Sequence, residues 1–128
     1  MSVRILPIAF LVALGACADH RAASMAEDGR RQSGAELSAI YPGGPYDGTG
    51  ADGAAFTVVA KADRTATMEL ASGRTDSGRW RIEGDHVCFT WTWVGEGKER
   101  CGHIYRRADG HYRSVDPSGN LILTFSRR

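Results

Sequence analysis

The sequence predicts a mainly β fold, in which an antiparallel meander of about eight strands forms a small barrel or a sandwich after one short helix. Apolar and polar residues alternate with a period of two from Gly78 to Tyr105, as expected for strands with one buried face. Glycine-rich turn signals separate this stretch from similar short runs, and no helical pattern interrupts them. Regularly spaced strands with tight turns are typical of barrels and sandwiches.

The helix is predicted at the start of the folded domain. Ser33 to Glu36 has the Ser-x-x-Glu form of a capping box, and Leu37, Ile40 and Tyr41 follow at helical spacing. The Pro-Gly-Gly-Pro sequence at 42–45 ends the helix. We expect its apolar stripe to pack on the sheet as a lid or plug.

Eight strands are predicted after the helix, at 46–50, 56–61, 66–71, 78–83, 86–93, 99–107, 111–115 and 121–126. Their apolar residues are expected to fill one core: Met68, Leu70, Trp80, Ile82, Val87, Phe89, Trp91, Ile104, Leu121, Leu123 and Phe125.

The turns also predict a register for the central strands. A two-residue turn at 84–85 places Trp80 opposite Phe89, so that the apolar residues of both strands share a face. If the next hairpin opposes Cys88 to Cys101, both thiols lie on the other face at a spacing that suits a disulfide. A bulge in the glycine-rich turn would shift this pairing by one residue.

The first residues resemble a bacterial lipoprotein signal. Arg4 precedes an apolar run from Ile5 to Leu14 that is too short to span a bilayer. The sequence Leu14-Gly15-Ala16-Cys17 resembles the lipobox, which implies cleavage before Cys17 and acylation of that cysteine. Ala18 then favours the outer membrane over the inner one. The alternative is an ordinary cleavable signal with Cys17 as a bystander.

The cysteine count agrees with lipidation. The chain has three cysteines, and an acylated Cys17 leaves Cys88 and Cys101 as a pair. An oxidising periplasm makes a disulfide the expected state of that pair. A redox pair or a metal site is disfavoured, because there is no Cys-x-x-Cys and two thiols do not complete a zinc site.

Composition divides the chain into a lipoprotein signal peptide at 1–16, a lipidated cysteine with a flexible tether at 17–32, and a β domain at 33–128. Removing the signal would leave 15 basic and 15 acidic residues. The basic residues of the last third are interleaved with other residues, which indicates a solvated surface. We therefore expect no nucleic-acid partner.

A pattern of glycine, tryptophan and cysteine positions runs through most of the chain after the signal: Gly34-Ala35-Glu36-Leu37-x-x-Ile40, Gly78-x-Trp80-x-Ile82-x-Gly84-Asp85-x-Val87-Cys88-x-x-Trp91, Cys101 and Asp109-Gly110-x-Tyr112. This pattern resembles the small bacterial envelope proteins grouped as domain of unknown function 995. The resemblance implies the sheet and the disulfide. It implies no activity, because that family has none established.

The end of the chain has a looser resemblance. Residues 112–121 with Phe125 resemble the ends of periplasmic inhibitors of secreted metalloproteases, which also combine a Gly-x-Trp strand with one disulfide in an eight-stranded barrel. The resemblance implies an inhibitor of a secreted protease or other hydrolase. Those inhibitors insert their N-terminal segment into the protease, which a lipidated N-terminus would oppose.

Candidate site residues are few. His86 and His103 face each other if Cys88 faces Cys101, and with Glu83 they would suit zinc or copper. An exposed polar sheet face is the favoured interpretation, so no metal site is assigned. Trp93, at the end of its strand, is the best candidate for a contact residue.

Two other aromatic residues are candidates for binding, Trp91 and Tyr105, although Trp91 suits core filling better. No serine has the context of a nucleophile, so we expect no catalytic residue and no cofactor.

These observations predict a non-catalytic β domain on the periplasmic face of the envelope, held to the membrane by acylated Cys17 and binding an envelope protein. One alternative is a lipocalin-like carrier with a cavity lined by Trp80, Trp91 and Tyr105. The other is the periplasmic hydrolase inhibitor.

Overall fold

Nine strands and one short helix make up the structure, a computed structural model that describes residues 29–128. The predicted signal at 1–16, Cys17 and most of the tether at 17–32 lie outside these residues. The helix α1 is Gly34–Ile40, followed by a 3-10 turn at Tyr41–Gly43. The strands are β1 (Arg30–Arg31), β2 (Tyr46–Gly50), β3 (Ala55–Ala60), β4 (Thr65–Leu70), β5 (Thr75–Glu83), β6 (His86–Trp91), β7 (Arg100–Arg106), β8 (Tyr112–Val115) and β9 (Leu121–Arg127).

The sheet closes into an eight-stranded antiparallel barrel. From β2 to β9 each strand pairs with the next one along the chain, and β2 also pairs with β9. Because this last pairing joins the two ends of the meander, every strand of the ring is hydrogen-bonded to a neighbouring strand on both sides. The predicted barrel is confirmed, and the alternative of a sandwich is wrong.

All eight predicted strands are present, with small shifts at their ends. The largest shift is in β5, which starts at Thr75 because its pairing with β4 continues to Glu69. β6 stops at Trp91, since the backbone N–H groups of Trp93 and Val94 donate to the carboxylate of Asp76 on β5 and not to β7.

The predicted register of the central hairpins is confirmed. Trp80 lies opposite Phe89, and Cys88 lies opposite Cys101. The two sulfurs form a disulfide with an S–S distance of 2.06 Å. Its position on the outer face leaves the inner face of β6 to apolar side chains.

The domain begins earlier than predicted. Arg30 and Arg31 form β1, which pairs with Arg106 and Tyr105 at the end of β7. The pairing of β7 with β6 stops two residues earlier, at His103. The backbone N–H of Gln32 donates to the carbonyl of Ile104 at 2.8 Å, and Gln32 is buried. The boundary at Ser33 is therefore wrong, because residues 30–32 are hydrogen-bonded parts of the barrel wall.

The helix closes one end of the barrel, as predicted. The capping box is present: Ser33 accepts from the N–H of Glu36, and the Glu36 carboxylate accepts from the N–H of Ser33. The N–H of Gly34 donates to Asp85 in the β5–β6 turn at 2.9 Å. A side chain at position 34 would collide with the carbonyl of Gly84, so glycine permits this close approach.

The core lies beneath this helix. Tyr41 sits at its centre, with ring centroids 5.4 to 5.8 Å from those of Trp80, Phe89 and Phe125. Leu37 is fully buried beside it. No helix within residues 29–128 has the length and apolar character needed to cross a membrane.

Most of the predicted core is confirmed. Buried members are Met68, Trp80, Val87, Ile104 and Phe125, and partly buried members are Leu70, Ile82, Phe89, Trp91 and Leu123. Leu121 is the error, with 36% of its surface exposed. The pairing of β8 with β9 shifts between Ser114 and Val115, and this bulge breaks the alternation from which Leu121 was predicted to point inward.

Candidate functional site

The two ends of the barrel differ in what they carry. At one end lie α1 and Gly29, which contacts the backbone of Arg106 and Arg107. The other end, here called the distal rim, consists of the connections at 51–54, 71–74, 92–99 and 116–120. The nine-residue strand β5 joins the two ends and is about 27 Å long. The N-terminal segment therefore joins the domain at the end remote from the distal rim.

The distal rim holds the exposed large apolar side chains of residues 29–128. These are Trp93, which is 38% exposed, and Leu121, which starts β9. Large aromatic residues in a small domain are normally buried, so an exposed tryptophan at the same end of the barrel as an exposed leucine indicates a contact surface.

Trp93 is held from three sides. Its backbone N–H donates to the Asp76 carboxylate at 3.1 Å, and its indole N–H donates to the carbonyl of Thr75 at 3.3 Å. The guanidinium of Arg74 lies over the ring, 4.1 Å from the centroid. A cation in this position is attracted to the ring face. The side chain is thus exposed but positioned by its neighbours.

The loop after Trp93 has an unusual backbone. Gly95, Glu96 and Gly97 all have positive φ angles, of 63°, 61° and 68°. Two of them are glycines, which adopt this conformation readily, whereas Glu96 is strained by about 1 kcal/mol or more. Strain of this kind persists only where the surrounding structure maintains it. Here two backbone hydrogen bonds close the loop, from the N–H of Glu96 to the carbonyl of Trp93 at 3.1 Å and from the N–H of Lys98 to the carbonyl of Gly95 at 3.2 Å.

Asp76 is the buried group that organises the distal rim. Its carboxylate accepts the backbone N–H groups of Trp93, Val94 at 2.9 Å and Ser77 at 2.7 Å. Burial would raise the pKa of Asp76, but the hydrogen bonds from Val94, Trp93 and Ser77 outweigh it and hold the pKa below its usual value. The carboxylate is therefore ionised at neutral pH.

The sequence analysis missed Asp76. Its only signal is that an aspartate precedes Gly78, Trp80 and Ile82 in the inward positions of β5, where an apolar residue is expected. A buried carboxylate in such a position needs several hydrogen-bond donors. The loop at 92–99 supplies them.

We expect Asp76→Asn to destabilise the protein at neutral pH by about 2 kcal/mol, because hydrogen bonds to a charged acceptor are lost. The folded pKa lies below that of an unfolded aspartate, about 3.9. The stabilisation is thus complete above that value and disappears as the pH falls through the folded pKa. Urea unfolding at pH 7 and at pH 2 to 3 measures the difference, which should shrink at the lower pH.

Asp52→Asn is the matched control for this prediction. Asp52 also accepts a backbone N–H, from Ala54 at 3.0 Å, but it lies in an exposed turn. Its replacement should change the unfolding free energy by about 0.5 kcal/mol or less. An Asp76→Asn effect as small as this would show that Asp76 does not organise the rim.

The other predicted binding residues do not join Trp93 in one site. Trp91 is partly buried against the core, with its ring stacked on Phe89 at 5.6 Å. Tyr105 lies on the outer face of β7, opposite Arg31 near the helix end. A cavity lined jointly by Trp80, Trp91 and Tyr105 is therefore wrong, because the barrel wall separates Tyr105 from the other two.

His86 and His103 face each other as the register predicted, with ring centroids 3.8 Å apart. Burial, the neighbouring His86 and the cation of Arg31 lower the pKa of His103, so this ring is neutral at neutral pH. Its Nδ1 is buried and has no hydrogen-bond partner within the part of the chain that the structure describes. Glu83, opposite His86, instead accepts from Arg81 at 2.7 Å.

One cluster of three possible metal ligands lies close together in residues 29–128. It consists of Cys88, Glu99 and Cys101, which border the disulfide. Because both sulfurs are joined in that bond, they are not thiolates. In the oxidised protein this cluster is not a metal site.

Comparison of the chain with models of protein families, with curated proteins and with solved structures found no match in any of the three. The functional argument therefore depends on the geometry of the distal rim.

Proposed function

We propose that this protein is a non-catalytic, lipid-anchored β domain of the bacterial envelope that binds another envelope protein through its distal rim. The observation that supports this function best is the placement of Trp93, an exposed tryptophan fixed by a buried carboxylate at the end remote from the N-terminal segment. An anchor at Cys17 would hold the helix end toward the membrane. The distal rim would then face away from it.

The composition of the distal rim supports a protein partner. Tryptophan and arginine are the residues most enriched among those that dominate protein–protein binding energy. Trp93 and Arg74 lie in direct contact, and Leu121 adds apolar surface at the same end. Because the loop is fixed by Asp76, Trp93 loses little conformational freedom on binding.

Replacing Trp93 with alanine is expected to abolish capture of the partner. A central tryptophan of an interface contributes about 2 kcal/mol or more, which is about a thirtyfold change in Kd. The acylated protein is crosslinked mildly in its native envelope and purified, and the captured proteins are compared between wild type and variant. One protein that is enriched by the wild type and reduced by Trp93→Ala is the expected result.

Tyr105→Ala is the matched control, because Tyr105 is an aromatic residue of the outer wall at the opposite end. This variant should capture the same protein as the wild type. Arg74→Ala should reduce capture, whereas Arg79→Ala, on the exposed side of β5, should not. Equal capture by wild type and Trp93→Ala, with both folded by circular dichroism, would contradict the proposal.

A further inference from the structure

The two ends of the barrel differ in charge. The helix end, which comprises residues 29–45, 61–64, 84–85, 106–111 and 127–128, carries eight basic and four acidic side chains, a formal net charge of +4. The distal rim carries two basic and four acidic side chains, a formal net charge of −2. The basic residues of the helix end are all exposed and come from four separate segments of the sequence: Arg30, Arg31, Lys61, Arg64, Arg106, Arg107, Arg127 and Arg128. The fold therefore gathers charges that are scattered along the chain.

Three of these arginines lie around the helical plug. Inward-facing residues alternate along a strand, and Arg64, Arg106 and Arg127 each lie two positions beyond the last buried residue of β4, β7 or β9 at this end. The guanidinium of Arg64 is 4.1 Å from the ring centroid of Trp80, and that of Arg127 lies beside Gly43 in the 3-10 turn. The positive charge thus surrounds the mouth of the barrel.

Half of the basic side chains have no competing ion pair. Arg30, Arg31 and Arg128 are paired with carboxylates, and Arg64 lies over a tryptophan ring. The other four form no ion pair within residues 29–128: Lys61, Arg106, Arg107 and Arg127. An anionic partner that approaches this end therefore meets cations whose charge is not already matched.

The acidic side chains of the helix end are used within the fold. Each carboxylate accepts a backbone N–H group, at distances between 2.9 and 3.3 Å: Glu36, Asp63, Asp85 and Asp109. These hydrogen bonds direct the carboxylates toward their own turns. They do not cancel the excess of positive charge.

The composition of the helix end suits an anionic lipid surface better than a protein. Both exposed large apolar side chains of residues 29–128, Trp93 and Leu121, are at the distal rim. Charged residues are depleted at the centre of protein interfaces. Clusters of about four to eight basic residues beside a membrane anchor, in contrast, attract anionic lipid headgroups.

The point at which the N-terminal segment joins the barrel also favours lipid. Gly29 contacts the backbone of Arg106 and Arg107, so residues 1–28 attach at the basic end. Eleven residues separate Cys17 from Gly29. Such a segment spans at most about 40 Å even when fully extended. An anchored Cys17 would keep the helix end close to the bilayer.

We propose that the helix end binds the surface of a bilayer that contains anionic phospholipid, through its exposed basic side chains. The opposite charges of the two ends then favour one orientation, in which the distal rim faces away from the membrane. The inference takes its setting from the proposed anchoring at Cys17. The contact itself is electrostatic and needs neither the acyl chain nor the distal rim, so its test is separate from that of partner capture.

Vesicle binding by the full chain tests this surface. The chain carries Cys17→Ser, so that no acyl chain is attached, and cosedimentation is measured with vesicles of phosphatidylcholine and of an equimolar mixture with phosphatidylglycerol. Binding to the mixed vesicles should exceed binding to phosphatidylcholine, and the excess should disappear at high salt because exposed charges are screened. Residues 1–28 are common to all variants, so differences between variants report the barrel.

Two triple variants with the same net charge locate the contact. The helix-end variant is Arg106→Gln, Arg107→Gln, Arg127→Gln, and the control variant is Arg79→Gln, Lys98→Gln, Arg100→Gln. Each basic residue near an anionic surface strengthens binding by about fivefold. The helix-end variant should therefore bind the mixed vesicles at least about tenfold more weakly than the Cys17→Ser parent, whereas the control variant should remain within about twofold.

The unaltered chain provides a second measurement, which does not depend on the folding of a variant. The chain has two lysines, Lys61 at the helix end and the exposed Lys98 at the distal rim. Modification by an amine-reactive reagent is followed by mass spectrometry with and without mixed vesicles. The vesicles should slow modification of Lys61 severalfold and leave that of Lys98 unchanged.

Four outcomes would overturn the proposal. They are equal loss of binding in the two triple variants, binding that does not require phosphatidylglycerol, and equal protection of Lys61 and Lys98. The fourth is helix-end-dependent binding to a DNA duplex with no binding to the mixed vesicles at the same salt, which would assign this surface to nucleic acid.

Discussion

Tyr41→Ala is expected to be the most destabilising single substitution discussed for this barrel, lowering the free energy of unfolding by about 3 to 5 kcal/mol. Tyr41 is 5% exposed and contacts the rings of Trp80, Phe89 and Phe125 at the centre of the core. Its removal would leave a cavity between the helical plug and the barrel wall. Urea unfolding followed by circular dichroism measures the loss.

Tyr41→Phe is the control for this experiment. Burial raises the pKa of the Tyr41 hydroxyl strongly, so the group is neutral in the native state. Phenylalanine keeps the ring and nearly the whole volume, and it should change the unfolding free energy by less than about 1.5 kcal/mol. If Tyr41→Ala were no more destabilising than Tyr41→Phe, the helix would not be an integral part of the core.

Removal of the disulfide is expected to destabilise the protein by about 3 kcal/mol, because the bond limits the freedom of the unfolded chain around a short loop. Cys88 and Cys101 are separated by 13 positions in the sequence. The double variant Cys88→Ala, Cys101→Ala is compared with the wild type by urea unfolding. The apolar inner face of β6 is untouched by this change, so the variant should fold.

Reduction provides an independent check on the disulfide. A reducing agent should lower the unfolding midpoint of the wild type to near that of the double variant, and it should leave the variant itself unchanged. A wild-type midpoint that is the same with the bond fully reduced would contradict the expected stabilisation.

Much of the barrel was predictable because its pattern is local. Strict alternation on both sides of the two-residue turn at 84–85 determines which residues face each other, and this is why the pairs Trp80–Phe89 and Cys88–Cys101 were both predicted correctly. The capping box at Ser33 marked the start of the helix in the same way.

The errors arise where the structure depends on nonlocal contacts. Arg30 and Arg31 show no alternation, and they form β1 only because β7 extends past the start of β6. Leu121 follows the alternation of β9, but a bulge opposite Val115 changes the side to which it points.

The candidate site was only partly visible in the sequence. The position of Trp93 at the end of a strand indicated a rim residue, and the structure exposes it at the distal rim. The support beneath it, Asp76, is separated from Trp93 by 17 residues and looked like an ordinary strand residue. Such support depends on which loop folds over which strand, and local patterning contains no information about that.

The most direct test of the proposed binding role is photocrosslinking from a defined position in living cells. A photoreactive amino acid replaces Lys98, which is exposed in the same rim connection as Trp93, or Thr67, which is exposed on the outer wall of β4. We predict one discrete adduct from position 98, none from position 67, and loss of the adduct when Trp93→Ala is added. Equal adducts from both positions, or an adduct at 98 that persists without Trp93, would contradict binding through the distal rim.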